Sequence, residues 1–188
     1  IDVPENAQGG DRGPTITPVI QSQRSFMEIR GQDFDRMRVN TFYDVEIEQV
    51  SIPQKLTPGQ ANEILLKLTN HGNGQSETNL SFPNLPDSWQ WWVVDEHGNI
   101  IQDNIDLSAP YDLEDILTIS VWMFLPNKEG AGEFHTIEVV AQTMNGQDIN
   151  TQNNALEFTI ITSSIRIPIL TLGNQTTEVE SGGSRSEE

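Results

Sequence analysis

Apolar and polar residues alternate with a period of two along most of this chain. From Met37, the residues Met37, Val39, Thr41, Tyr43, Val45 and Ile47 fall on one side, and Arg36, Arg38, Asn40, Asp44, Glu46 and Glu48 on the other. That is the mark of a half-buried strand. The run is too long for one strand, so a break is expected near residues 40–43. Ile64, Leu66 and Leu68 then oppose Leu65, Lys67 and Thr69. Asn70, Gly72, Asn73 and Gly74 reverse the chain with residues that tolerate positive φ. Thr78, Leu80 and Phe82 resume the alternation, predicting two strands and a turn.

The same reasoning predicts a strand over 89–94. The next has Leu117, Ile119, Val121, Met123 and Leu125 on one face and ends at Pro126. Another sets Ile137, Val139 and Ala141 opposite Thr136, Glu138 and Val140, and the last carries Leu156, Phe158 and Ile160. "NKEGAGE" and the Asn-Gly of "MNGQDINTQNN" are turns between them. Helical periodicity is absent. Seven to eight short strands with Gly/Asn turns predict an all-β, antiparallel Ig-like β-sandwich with extended N- and C-terminal segments. The expected layout is a linker or extended tail over 1–36, the sandwich module over 37–162, and an extended strand and acidic tail over 163–188, the start of a following module. The non-Met start, without a basic and apolar leader, points to a portion of a longer protein.

Charge sharpens those boundaries. The chain has a formal net charge of −18. Residues 43–162 hold 18 acids and three lysines but no arginine, whereas residues 1–42 hold five arginines. A strongly acidic module repels nucleic acid and anionic lipid, so no nucleic-acid partner is expected. No apolar run approaches the roughly 18 residues of a membrane span. The absence of cysteine excludes disulfides, zinc–thiolate sites and a cysteine nucleophile.

Candidate chemistry is sparse. No Gly-x-Ser-x-Gly elbow accompanies His71, His97 or His135, and their spacing suits neither a triad nor a metal. All three are expected at the solvated surface, with no catalytic residues and no enzyme. Calcium is the one cofactor to consider, on the oxygen-rich loops Asp103, Asn104, Asp106 and Asp148, Asn150, Asn153. Turn chemistry by Asn and Asp explains the same residues. Trp91 and Trp92 must face opposite sides of their strand. Trp89, Trp92 and Trp122 are the candidates for a sugar-binding or protein-contact surface. Asn79 and Asn174 head N-glycosylation tripeptides.

The stretch "LTPGQANEILLKLTNHGNGQSETNLSFPNLPDSW" has a Pro-Gly turn, a strand ending in Asn-x-Gly-Asn, and a Pro and Trp beyond. With "AGEFHTIEVV" and "NNALEFTIIT", it resembles the prokaryotic Ig-like domains of the CARDB and NPCBM-associated type, over roughly residues 44–162. The resemblance implies a non-catalytic structural or adhesive module of a secreted or cell-envelope protein. Its partners would be neighbouring modules or subunits of the same protein, or glycans. Two alternatives are a filament subunit completing a neighbour's sheet by donor-strand exchange and a carbohydrate-binding module.

Overall fold

The computed structural model of the chain describes residues 3–4, 6–13, 19–21, 24, 28–30, 37–102, 104–110 and 115–164. Twelve strands are formed among them. They are β1 (Val19–Gln21), β2 (Glu28–Arg30), β3 (Val45–Ser51), β4 (Lys55–Leu56), β5 (Ala61–Asn70), β6 (Ser76–Ser81), β7 (Gln90–Val94), β8 (Ile100–Ile101), β9 (Ile105–Leu107), β10 (Ile116–Phe124), β11 (Phe134–Thr143) and β12 (Ala155–Thr162). β1 and β2 pair as a small separate ribbon. The others form two five-stranded sheets, ordered β3-β5-β10-β7-β8 and β4-β12-β11-β6-β9.

The all-β expectation holds. Strands β3, β5, β10 and β7 reproduce the A-B-E-D sheet of an Ig-like sandwich, and β6, β11 and β12 its C-F-G sheet. β8 and β9 extend the outer edges. The alternating residues meet between the sheets. Ile64, Leu66 and Leu68 of β5 and Ile119, Val121 and Met123 of β10 share one core with Ile137, Val139 and Ala141 of β11 and Ile160 of β12. Each fully buried aliphatic side chain contributes about 1.5–3 kcal/mol of transfer free energy.

Two connections depart from a plain antiparallel pattern. After β3, Pro53 cannot donate to the ladder, and the chain crosses to the second sheet. There β4 pairs parallel with β12, with Lys55 opposite Ile161 and Leu56 opposite Thr162. The Asn/Gly-rich turn after β5 does reverse the chain, but β5 and β6 lie in different sheets. It is an arch over the end of the sandwich rather than a hairpin. Asn70, almost fully buried, pins it. Its Nδ2 donates to the carbonyls of Gly74 and Ser108, both at 2.8 Å, and its Oδ1 accepts from the Gly72 N–H at 3.0 Å.

Register fixes where the chain enters and leaves. β3 begins at Val45, opposite Asn70 at the far end of β5. β12 ends at Thr162 beside Leu56, and Gly132 donates to the Thr162 carbonyl at 2.8 Å. At that end Gly59 donates to the Leu125 carbonyl, just past the close of β10. Entry and exit therefore lie at opposite poles of the sandwich. The ten residues of β5 set the separation at roughly 30 Å.

Part of the expected linker packs on the entry pole. Gly9 donates to Asn73 at 2.7 Å, Gly10 to Val39 at 2.9 Å and Gly13 to Met37 at 2.8 Å, while Val39 donates to Asp11 at 2.9 Å. Residues 9–13 thus run against 37–41 and the arch. Beyond Ser164, the expected C-terminal strand lies outside the described residues.

Candidate functional site

Three regions bear on function. The first is the outer face of the β3-β5-β10-β7-β8 sheet. Trp122 lies directly opposite Trp92 on one side and Glu63 on the other. Phe124, Leu65 and Val94 share this face, all half-buried. Toward the entry pole the face turns charged. Lys67 is paired with Glu48, and His71 Nε2 lies 2.7 Å from Glu46 Oε2. Its hydrogen bond with Glu48 raises the Lys67 pKa above the ordinary lysine value. Ser120 donates to Glu63 Oε1 at 2.8 Å, bordering the tryptophan pair. An apolar stripe beside a polar rim can take a protein or sugar surface.

The second region is the pair of oxygen-rich loops. Asp103 lies outside the described residues. Asn104 is half-buried, and Asp106 sits exposed on β9 opposite Glu77. Asp148 is buried, and both its oxygens are engaged: Val45 N–H donates to one and Asn150 N–H to the other, at 2.9 and 2.8 Å. Asn153 donates to Asp44 Oδ1 at 2.9 Å, and its carbonyl accepts from Ile47 N–H. This loop clips the start of β3 to the sandwich. Of the glycosylation candidates, Asn79 is exposed on β6, and Asn174 lies outside the described residues.

The third region corrects two expectations. Trp89 is core, 5% exposed, and presents no face to a sugar. Its indole N–H donates to Glu129 Oε1 at 2.6 Å, and Ser88 Oγ donates to the same oxygen at 3.4 Å. The Trp89 ring packs against His135 with centroids 4.8 Å apart. His135 is therefore not a solvated residue, for it continues the inward row of Ala141, Val139 and Ile137 to the exit pole. Its side chain is 18% exposed, and Nε2 is shielded from solvent without a hydrogen-bond partner. Glu133 Oε2 lies 3.9 Å from that nitrogen. Glu129, Glu133 and His135 each bring a metal-ligating atom within 4.8 Å of the others. Counting back by twos from Ala141 reaches His135, so this inward position could have been read from the alternation.

Trp91, on the opposite side of β7 from Trp92, is 36% exposed and tilts against Phe82 with centroids 4.6 Å apart. It borders a groove of about 80 Å³ with Asn79, Leu80, Val93 and Ile105. That is well below the roughly 300 Å³ at which small-molecule pockets begin. In the turn after β7, Asn99 and then His97 hydrogen-bond to Asp95, holding its carboxyl below the usual carboxylate range.

No protein-family model matches the chain, and no curated protein matches it. Among solved structures, it is similar to the CARDB domain of the PF1109 protein from Pyrococcus furiosus. Identity is 15%, with 70% of this chain and 99% of that one covered and a TM-score of 0.37. The SrpA adhesin from Streptococcus sanguinis is also similar, at 15% identity and a TM-score of 0.43, covering 66% of this chain and 58% of that one. So is AvmM, which catalyses macrocyclization in alchivemycin A biosynthesis, at 13% identity and a TM-score of 0.40, covering 74% and 98%. An adhesin, a module solved with di-metal ions and a biosynthetic catalyst all stand among these structures, and none decides what this chain does. No helix among the described residues is long and apolar enough to cross a membrane.

Proposed function

We propose that the chain is a non-catalytic structural module of a secreted or cell-envelope protein, one that transmits the polypeptide from pole to pole. The observation that carries this is the opposed placement of entry and exit. The chain arrives at Val45 beside the Asn70 end of β5 and departs from Thr162 beside Leu56 and Gly132. A module so connected spaces its neighbours by its full length. The cell-envelope setting rests on the resemblance of residues 44–162 to CARDB-type domains. The acidic composition accords with a solvated exterior.

Sheet edges favour a spacer over a filament. β8 and β9 have two and three residues, β3 bends at a register shift between Gln49 and Ser51, and β4 covers the Ile161–Thr162 end of β12. Short and bulged edges resist strand addition. The Trp92–Trp122 stripe supplies a face for adhesion to a neighbouring module.

Light scattering and electron microscopy of the full chain over a wide concentration range test the proposal. A dispersed monomer throughout is expected. Filaments that vanish when residues 1–36 are deleted would replace it with strand-exchange assembly.

A further inference from the structure

We propose that Glu129, Glu133 and His135 form a binding site for a divalent transition cation of the Zn²⁺ class, set at the pole where the chain leaves the sandwich. The donor set is one imidazole and two carboxylates, the mixture such ions take and a poor one for calcium, which prefers oxygen alone. Their ligating atoms lie within 4.8 Å of one another. Tetrahedral coordination at about 2.0–2.1 Å brings ligand atoms to roughly 3.4 Å apart. Closing that difference needs side-chain rotation, and Glu133 is exposed enough to supply it, at 59% of its side chain.

The imidazole gives an independent sign of a missing partner. His135 Nε2 is shielded from solvent and has no hydrogen bond, which is costly for a buried polar atom. Glu133 Oε2 is the near group, at 3.9 Å, too far for a hydrogen bond. A cation between them would satisfy both. It would also relieve the repulsion between two neighbouring carboxylates. Among the described residues, neither has a lysine or arginine salt bridge.

The surroundings already orient two of the ligands. Trp89 Nε1–H and Ser88 Oγ–H both donate to Glu129 Oε1, which holds that carboxylate in place. The Trp89 ring packs on the imidazole. Such outer contacts fix ligand orientation in metal sites. Gly130 gives the Glu133 carboxylate room, since a Cβ there would collide with Oε1. The loop is joined to the departing strand, with Thr162 N–H donating to the Glu133 carbonyl at 2.9 Å and Gly132 N–H to the Thr162 carbonyl at 2.8 Å. A bound ion would thus stiffen the junction at the exit.

Isothermal titration of the full chain with Zn²⁺ tests this, alongside Co²⁺ quenching of tryptophan fluorescence through Trp89. One saturable equivalent is expected. Glu133→Gln, on an exposed residue, and His135→Gln should each weaken it at least tenfold, with folding checked by circular dichroism. His97→Ala, removing another histidine beside a carboxylate, should leave it unchanged. Binding that survives Glu133→Gln and His135→Gln, no saturation by millimolar Zn²⁺, or displacement of Zn²⁺ by an equal concentration of Ca²⁺ would overturn the proposal.

Discussion

Single side chains do much of the joining in this sandwich. Asn70 holds the β5–β6 arch through three hydrogen bonds from a buried position. Asn70→Ala strands the Gly72 N–H and two carbonyls, and should cost about 1–3 kcal/mol in urea unfolding. Asn70→Asp should also destabilise, because a carboxylate cannot donate to Gly74 and Ser108. Asp95 offers a test through acidity. Its folded-state pKa is depressed, so its contribution is present above the unfolded value and lost as pH falls through the folded one. An NMR titration should find its midpoint below those of ordinary aspartates, and Asn99→Ala should move it up toward them. Asn and Gly are visible in the sequence as turn residues. Which carbonyl an Asn side chain reaches is not, because Ser108 lies 38 residues from Asn70. Trp89 is an instructive miss. A tryptophan after a Pro-Asp-Ser loop reads as exposed until its N–H is seen to find Glu129.

Among the elements, the long strands were legible because one face is buried and the period of two is therefore strict. Leu66 and Leu65 illustrate it, the first fully buried and the second half-exposed on the outer face. Leu66→Ala should cost about 2–5 kcal/mol, and Leu65→Ala clearly less, by denaturant midpoint at constant slope. The short strands β4, β8 and β9 leave no signal in the sequence, since two or three residues carry no period. The assignment of β5 and β6 to different sheets was equally hidden. Alternation marks an inward face without telling which sheet owns it. The three metal-ligand candidates belong to this scale too. Glu129 and Glu133 come from a Gly-rich loop and His135 from the strand that follows, a spacing with no repeating signature.

For the whole molecule, the proposed spacer role means that force or length passes through the sandwich from Val45 to Thr162. β3 lies antiparallel on β5, and β12 lies between β11 and the parallel β4. Tension applied at the two poles therefore pulls both terminal strands along their own axes. Their ladder hydrogen bonds are loaded together, whereas a pull from one pole opens them one at a time. The Arg12–Arg38 bridge and the residue 9–13 contacts should release before the sandwich does. The lack of native cysteine makes attachment clean. The decisive measurement is single-molecule unfolding with handles at Asn40→Cys and Ser164→Cys, compared with handles at Asn40→Cys and Gln75→Cys, all at exposed positions. The pole-to-pole pair should need clearly the greater force at equal loading rate. Equal or lower force for that pair would rule out a load-transmitting spacer.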